Sequence, residues 1–337
     1  LACTSGSDVY KRHGCGVPGF PLHQNIIAPG HSAFRLPAAA PGSWFTFDYP
    51  MSWEAQLVIG EGEGAGFYVW ARDPDARFKR LAVERSRTGW RLRFVSMAYA
   101  PFEETAGLTS PEWRIGPYTG DWRVPARRYR DWMVREFAPT RLEEQQPAWL
   151  KDIRCFVITG LDLEGLANLG NNLDPAQTIV YVPGWRSQGY DRDYPDYDEV
   201  IDGVKPFIER AHALGFRVML HVNYFGVDPL NALYPQFEPY HVRSPWGKHE
   251  KEWWLWTRAK PEIKFAYINP ACKAWRDLFV ERMSRLCAEY AVDALHLDQT
   301  LCIYNDQNGR IDGMTMAEGN IALHQQLRQA LPGVALS

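Results

Sequence analysis

Val292-Asp293-Ala294-Leu295-His296-Leu297-Asp298-Gln299-Thr300 reads as a buried strand that runs into a polar turn. Its apolar residues are nearly continuous, which is the habit of strands in a parallel sheet covered on both faces. Upstream, Asn269-Pro270 opens a helix at about 271–290, with Trp275, Leu278, Phe279, Met283 and Leu286 as its apolar stripe. Earlier still, Arg217-Val218-Met219-Leu220-His221-Val222-Asn223-Tyr224-Phe225 is a strand of the same kind. A helix near 200–214 precedes it and is closed by Gly215. Thr178-Ile179-Val180-Tyr181-Val182 and Ile153-Arg154-Cys155-Phe156-Val157-Ile158-Thr159 are two more strands. Downstream, a helix near 314–331 leads to a fifth strand beginning at Val334.

Strand, loop and helix thus alternate from residue 151 onward, the rhythm of α/β folds. A doubly wound sheet and a (β/α)8 TIM barrel both fit. No Gly-rich phosphate loop follows any strand, which counts against a nucleotide-binding sheet. A barrel takes about 250 residues, more than residues 151–337 provide. Four complete strands and the start of a fifth lead us to expect the first half of a barrel.

Residues 1–120 have another rhythm. Short apolar runs such as Trp44-Phe45-Thr46-Phe47, Ala55-Gln56-Leu57-Val58-Ile59 and Gly66-Phe67-Tyr68-Val69-Trp70 alternate with turns. Trp90-Arg91-Leu92-Arg93-Phe94-Val95 alternates with period two, as a half-buried strand does. An all-β sandwich, incomplete at its N-terminal side, is expected here. Residues 121–150 read as a helical linker, with Asp121 able to cap a helix carrying Tyr129, Trp132, Met133 and Phe137.

Composition narrows the function. Apolar residues make up 46% of the 337 and charged residues 23%, so disorder is excluded as the main state. Net charge is −3, which leaves no basic field for nucleic acid. No apolar run approaches the ~18 residues of a membrane span. Trp is 14 and aromatics are 14% of the chain, a supply from which ring-stacking walls for sugars are built. Cysteines at 3, 15, 155, 272, 287 and 302 form no CxxC motif. Only Cys3 and Cys15 are placed to pair, and their disulfide status stays open. The chain starts at Leu1 without a Met and stops in an apolar run, so a fragment of a longer protein is expected.

In a barrel the active site lies at the C-terminal ends of the strands. Asp298 is the sharpest candidate, because a carboxylate ending a buried strand is unfavourable unless paired or functional. His296 lies two residues earlier and so on the same side of the strand. His221 and Asn223 share that relation on their own strand. With Gln299 they are read as holding substrate hydroxyls and Trp185 as stacking on a sugar ring, the alternative for His221 and Asn223 being a satisfied internal network. Asp293 reads as a plain strand-start residue. The long loop at 226–262 carries Trp246, Trp253, Trp254 and Trp256, read as a sugar-stacking wall, with packing as the alternative. Tyr190, Tyr194 and Tyr197, among Asp191, Asp193, Asp196 and Asp198, read as a solvated face, with a cation- or sugar-binding loop as the alternative. His221, His241 and His296 lack the spacing of metal ligands, so no metal and no cofactor is expected.

The stretch from Asn269-Pro270 to Asp293-Ala294-Leu295-His296-Leu297-Asp298-Gln299 resembles (β/α)8 glycoside hydrolases, where a DGxxxD tail ends strand four; here Ala294 replaces the Gly. Gly120-Asp121-Trp122-Arg123 and Tyr129-Arg130-Asp131-Trp132 resemble a sandwich-to-barrel junction. That junction is the one of an uncharacterised bacterial glycosidase-like family. The family is distantly related to endo-α-N-acetylgalactosaminidases and to α-galactosidase and α-glucosidase barrels. The resemblance implies a retaining hydrolase of O-glycosidic bonds on an α-linked sugar, with Asp298 as nucleophile and an oligo- or polysaccharide substrate. It places the acid/base carboxylate on a later strand, beyond Ser337. The substrate class suggests a secreted or periplasmic protein. The alternative reading is a non-catalytic glycan-binding protein of a polysaccharide system.

Overall fold

The computed structural model describes residues 2–5, 12–20, 25–30, 34–36, 41–98, 107–139, 141–189, 192–244, 251, 253–255 and 264–337; residues 2–5, 12–20, 142–143 and 253–255 are described by backbone alone. The fold is mixed α/β, with antiparallel sheets and a parallel sheet. It divides into two compact units, one of Leu1–Pro139 with Leu301–Gly309, the other of Thr140–Thr300 with Arg310–Ser337.

The first unit holds strands β1 (Ala2–Ser5), β2 (Arg12–Phe20), β3 (Asn25–Ala28), β4 (Phe34–Leu36), β5 (Trp44–Tyr49), β6 (Leu57–Glu61), β7 (Ala65–Arg72), β8 (Lys79–Arg85), β9 (Trp90–Met97) and β10 (Glu112–Thr119), then helix α1 (Arg123–Phe137). They form two antiparallel sheets, ordered β1-β2-β9-β8-β5 and β10-β7-β6-β3-β4. The alternation of β9 is realised: Trp90, Leu92 and Phe94 are buried, Arg91 and Arg93 exposed. Leu81, Val83, Leu92 and Phe94 of one sheet share a core with Ile26, Val58 and Val69 of the other, around the fully buried Trp53. The opposite face of the second sheet receives α1, whose Tyr129 and Trp132 pack with Ile59, Trp70 and Tyr118. Asp121 does accept a helix-start hydrogen bond, from the Arg123 N–H at 2.8 Å. Cys3 and Cys15 are register partners across β1 and β2.

The second unit begins with α2 (Leu142–Gln145) and a 3-10 turn at Ala148–Asp152. There follow β11 (Cys155–Ile158), α3 (Leu163–Asn172), β12 (Thr178–Val182), α4 (Val204–Leu214), β13 (Arg217–Asn223), β14 (Gly226–Val227), α5 (Tyr234–Phe237), β15 (Trp253–Leu255), β16 (Lys264–Tyr267), α6 (Lys273–Tyr290), β17 (Ala294–Asp298), α7 (Met316–Ala330) and β18 (Ala335–Leu336). Strands β11, β12, β13, β17 and β18 form one parallel sheet in chain order. Strands β14, β16 and β15 form a small antiparallel sheet in the long excursion after β13. Gly215 closes α4 in the left-handed region, φ 96°, where its missing Cβ removes the clash.

Period two sorts the parallel sheet into two faces. Val180, Val182, Val218, Leu220, Val222, Leu295 and Leu297 lie on one, all buried. The other carries Ile179, Met219, Ala294 and Ala335 at its lower end, covered by Trp149, Leu150 and Ile153. Higher on that face the residues become polar. Phe156 and Ile158 of β11 belong to it by register and are 59% and 72% exposed, so its first strand is uncovered.

Asp293, expected to be plain, is a three-way staple. Its carboxylate meets His212 Nε2 on α4 at 2.7 Å and Arg217 Nη1 at 2.8 Å, and accepts the Val218 N–H at 2.9 Å. It locks the starts of two neighbouring strands to a helix end. Asp293→Ala is expected to lower the unfolding free energy by about 3 kcal/mol, since hydrogen bonds to charged groups are the strong ones. A urea melt checks this; an unchanged midpoint would show the staple to be ornamental.

Candidate active site

The polar end of the parallel sheet is assembled by strand alternation. His221 and Asn223 stand on β13, His296 and Asp298 on β17, and register sets His221 opposite His296 and Asn223 opposite Asp298. Four residues expected to act together therefore share one sheet face. Tyr181 of β12, which sequence reasoning left out, joins them: its hydroxyl lies 2.8 Å from His221 Nδ1. The Tyr181 and His221 rings lie 5.3 and 5.6 Å from the His296 ring. The signal for Tyr181 was available, since it sits two residues after the core residue Ile179.

The electrostatics of the cluster follow from its burial. His221 is 3% exposed. Burial first, then His296 and Arg186, drive its pKa down to about 3, so the ring is neutral. Burial and the nearby Asp298 push the Tyr181 phenol up to about 12, so it keeps its proton. A neutral imidazole carries one N–H. His221 Nε2 faces Asp298 Oδ2 at 3.9 Å. A lone pair pointed at a carboxylate is repelled, so the proton belongs on Nε2 and the Tyr181 hydroxyl donates to Nδ1. Tyr181 is thus the group that fixes which way His221 presents its donor.

Asp298 is one-third exposed. Burial lifts its carboxyl above the ordinary range, while His296 and the Gln299 backbone N–H pull it back. Gln299 has φ 67°, a left-handed conformation costly for a side chain with a Cβ. Strain of this kind persists where surrounding structure imposes it, often at functional sites. Here it accompanies the backbone N–H held on the carboxylate.

Asn223 has a divided role. Its Oδ1 accepts the Phe225 and Gly226 N–H groups at 3.1 and 2.6 Å, shaping the turn out of β13. Its buried Nδ2 has no hydrogen-bond partner among the described residues. Trp185 is placed otherwise than a stacking platform requires. It is fully buried, its indole N–H donates to the His221 carbonyl at 2.7 Å, and it stacks on Tyr197 at 6.2 Å. It holds the strand that bears His221.

The tyrosine-and-aspartate loop is likewise not a solvated face. Tyr194 and Tyr197 are buried, and the Arg186 guanidinium lies over both rings at 4.3 and 5.4 Å. The buried loop must satisfy its own backbone: Arg186 donates to the Asp196 carbonyl at 2.9 Å, and the Tyr197 hydroxyl to the Asn223 carbonyl at 2.8 Å. Two of its aspartates face an arginine, with Arg282 at 3.6 Å from Asp196 and 3.5 Å from Asp198, and Asp193 accepts from Asn231 Nδ2 at 2.8 Å. Polar composition concealed a small core. Tyr190 and Asp191 lie outside the described residues.

For the tryptophan loop, Trp253 and Trp254 lie on β15 opposite Ala266 and Phe265. Their side chains, and Trp246 and Trp256 altogether, fall outside what is described. His241 is fully buried with its Nδ1 3.1 Å from the Tyr234 hydroxyl. Among the described residues no group of three or more His, Cys, Asp or Glu side chains is arranged to hold a metal ion. Nor is any described helix long and apolar enough to cross a membrane.

The family described as a domain of unknown function (DUF6259) matches residues 109–308. No curated protein matches the sequence. Among solved structures, ligand-free α-N-acetylgalactosaminidase NagBb from Bifidobacterium bifidum is 13% identical with a TM-score of 0.70, over 96% of this chain and 65% of that one. The same enzyme in its Gal-NHAc-DNJ complex has a TM-score of 0.75, over 96% of this chain and 58% of that one. The α-galactosidase TtGalA from Thermus thermophilus, in complex with stachyose, is 14% identical with a TM-score of 0.59, over 100% of this chain and 70% of that one. The chain spans less than two thirds of the length of NagBb. At these identities the likeness is one of fold, and the fold is glycoside-hydrolase-like.

Proposed function

We propose that this chain, which belongs to the family of the domain of unknown function DUF6259, is the nucleophile-bearing part of a glycoside hydrolase acting on an α-linked sugar with retention. The observation that carries this reading is Asp298: a partly buried carboxylate at the C-terminal end of β17, held by the Gln299 N–H above a neutral His221. The parallel sheet is read as the first half of a (β/α)8 barrel. In support, strand order follows chain order without the reversal that marks a doubly wound sheet. The two antiparallel sheets with their shared core are read as the preceding sandwich.

In this reading Asp298 attacks the anomeric carbon as the glycosidic bond breaks, forming a glycosyl ester that water then hydrolyses. A second carboxyl protonates the leaving oxygen and later deprotonates the water. The resemblance places that group on a later strand than β17. Asn223 Nδ2 and His296 offer hydrogen bonds to sugar hydroxyls, and Gln299 aims the nucleophile. Trp253 and Trp254 remain the candidate ring-stacking wall.

The test is hydrolysis of aryl α-galactoside, α-N-acetylgalactosaminide and α-glucoside by the full-length protein, with the product anomer followed by NMR. Expected is cleavage of one of them with retained configuration. Sugar binding without any cleavage would overturn the enzyme reading in favour of a glycan-binding protein. Tyr181→Phe tests the positioning of His221. It is expected to lower kcat about tenfold, the effect of roughly one hydrogen bond. It also moves the acidic limb of kcat/KM to higher pH. The sign follows from Asp298: losing the donor that faces its charged form raises its pKa further. An unmoved pH profile would reduce Tyr181 to packing.

A further inference from the structure

The unit of Leu1–Pro139 with Leu301–Gly309 contains a cleft of about 340 Å³ between the β7–β10 edge and α1. Tyr68, Trp70 and Arg72 alternate along β7, and Arg114 is the register partner of Trp70 on β10, so the four share a sheet face. Arg128, Trp132 and Arg135 are spaced i, i+4, i+7 on α1 and present one helix face to the same cleft. Trp70 and Trp132 form its floor, stacked at 6.3 Å and 20°.

The walls are rich in donors and poor in acceptors. Four guanidiniums line the cleft, and repulsion between like charges opposes such a gathering. Their neutralisation is incomplete. Arg72 and Arg114 share one carboxylate, Glu112, at 3.4 and 2.8 Å. Asp131, also in the lining, is held by Arg130 at 2.8 Å. Arg128 lies over the Tyr68 ring at 5.7 Å. Neither Arg128 nor Arg135 has an ion pair or hydrogen bond among the described residues. The indole N–H groups of Trp70 and Trp132 also lack an acceptor there.

Arginine forks match planar or tetrahedral oxyanions in two-point contact. An aromatic floor lowers the local dielectric and so strengthens each such contact. The volume falls within the roughly 300–1,000 Å³ of small-molecule sites. We propose that this cleft binds the oxyanion of an acidic saccharide, a carboxylate or a sulfate ester on a sugar ring. The oxyanion follows from the donor set; the saccharide rests on the glycoside hydrolase reading.

The test is calorimetric titration of the full-length protein with galacturonic acid, galactose 6-sulfate and neutral galactose. None is a glycoside, so binding is read without turnover and independently of Asp298 chemistry. Expected is binding of one or both acidic sugars that Arg128→Gln/Arg135→Gln weakens about tenfold or more. Binding of galacturonic acid alone identifies a carboxylate site, of galactose 6-sulfate alone a sulfate site. Should that double variant fail to fold, Arg128→Lys/Arg135→Lys keeps the charge, loses the fork, and is expected to weaken binding by a smaller factor. Galactose binding as tightly as the acidic sugars, no binding of either acidic sugar, or affinities untouched by a folded variant would overturn the proposal. Absence of acidic-sugar binding by the unaltered protein while it cleaves glycosides refutes the cleft alone; binding that the variant weakens, with no glycoside cleaved, refutes the hydrolase reading alone.

Discussion

Asp298→Asn is expected to lower kcat/KM on any cleaved glycoside by about 10⁴-fold or more, the scale of removing one member of a catalytic constellation. The amide has the shape of the carboxylate and keeps an oxygen for the Gln299 N–H, but it cannot form the glycosyl ester. Stability should move the other way. Burial raises the Asp298 pKa, so folding disfavours its ionised form. A group raised in this way contributes stability below its unfolded pKa, near 3.9, and loses it as pH rises through the folded value. At neutral pH the ionised carboxylate is therefore a burden, and Asp298→Asn should melt at the same temperature or higher. Stability held in deficit for reactivity is a recurrent property of active sites. Turnover kinetics and a thermal melt decide it. Full activity in the variant would remove Asp298 from the chemistry, and a sharp loss of stability would make it structural.

The largest stability effect belongs to the other unit. Asp73 and Lys79 have fully buried side chains 2.9 Å apart. The Asp73 carboxylate also accepts the Arg77 N–H and its Nε at 2.9 Å, and the Lys79 ammonium sits 4.2 Å from the Tyr49 ring centre. Asp73→Ala leaves that ammonium buried without its carboxylate, at an expected cost of about 3–5 kcal/mol. Lys79→Met leaves Asp73 with Arg77 and should cost less. Asp73→Leu/Lys79→Met together should recover much of the loss, because two apolar side chains leave no stranded charge. Denaturant melts of the three variants give the ordering. Equal losses in all three would mean that packing, and not charge pairing, sets the stability there.

Acid should act on the same pair. Burial alone lifts the Asp73 carboxyl, but Lys79 and Arg77 outweigh it and hold it below the ordinary carboxylate range. A depressed pKa contributes stability present above the unfolded value, near 3.9, and lost as pH falls through the folded value. The wild-type unit is therefore expected to weaken below about pH 4. Asp73→Leu/Lys79→Met should weaken less over the same range.

Much of the parallel sheet was legible because its signals are local. The strands at β12, β13 and β17, the helix end at Gly215, and the shared face of His296 with Asp298 all follow from periodicity and capping, while the helix expected to open at Asn269-Pro270 starts at Lys273 with Cys272 as its cap residue. Trp185 was misread because a tryptophan just past a strand end looks alike whether it meets solvent or Tyr197. Tyr194 and Tyr197 defeat local reading because the aspartates beside them suggest water, when Asp196 and Asp198 face Arg282 and Arg285 about ninety residues on. Asp293 was undervalued because two of its partners, His212 and Arg217, come from a preceding helix and strand.

Which side chains share a face is written in the chain, since the pleat repeats every two residues whatever surrounds it. How neighbouring strands are staggered is set by the folded arrangement. That stagger sets Tyr181 against His221 and His221 beneath Asp298, and encloses Trp185 under the strand it supports. Stagger and burial are fixed by hydrogen bonds and packing between segments far apart in the chain, where no local pattern records them.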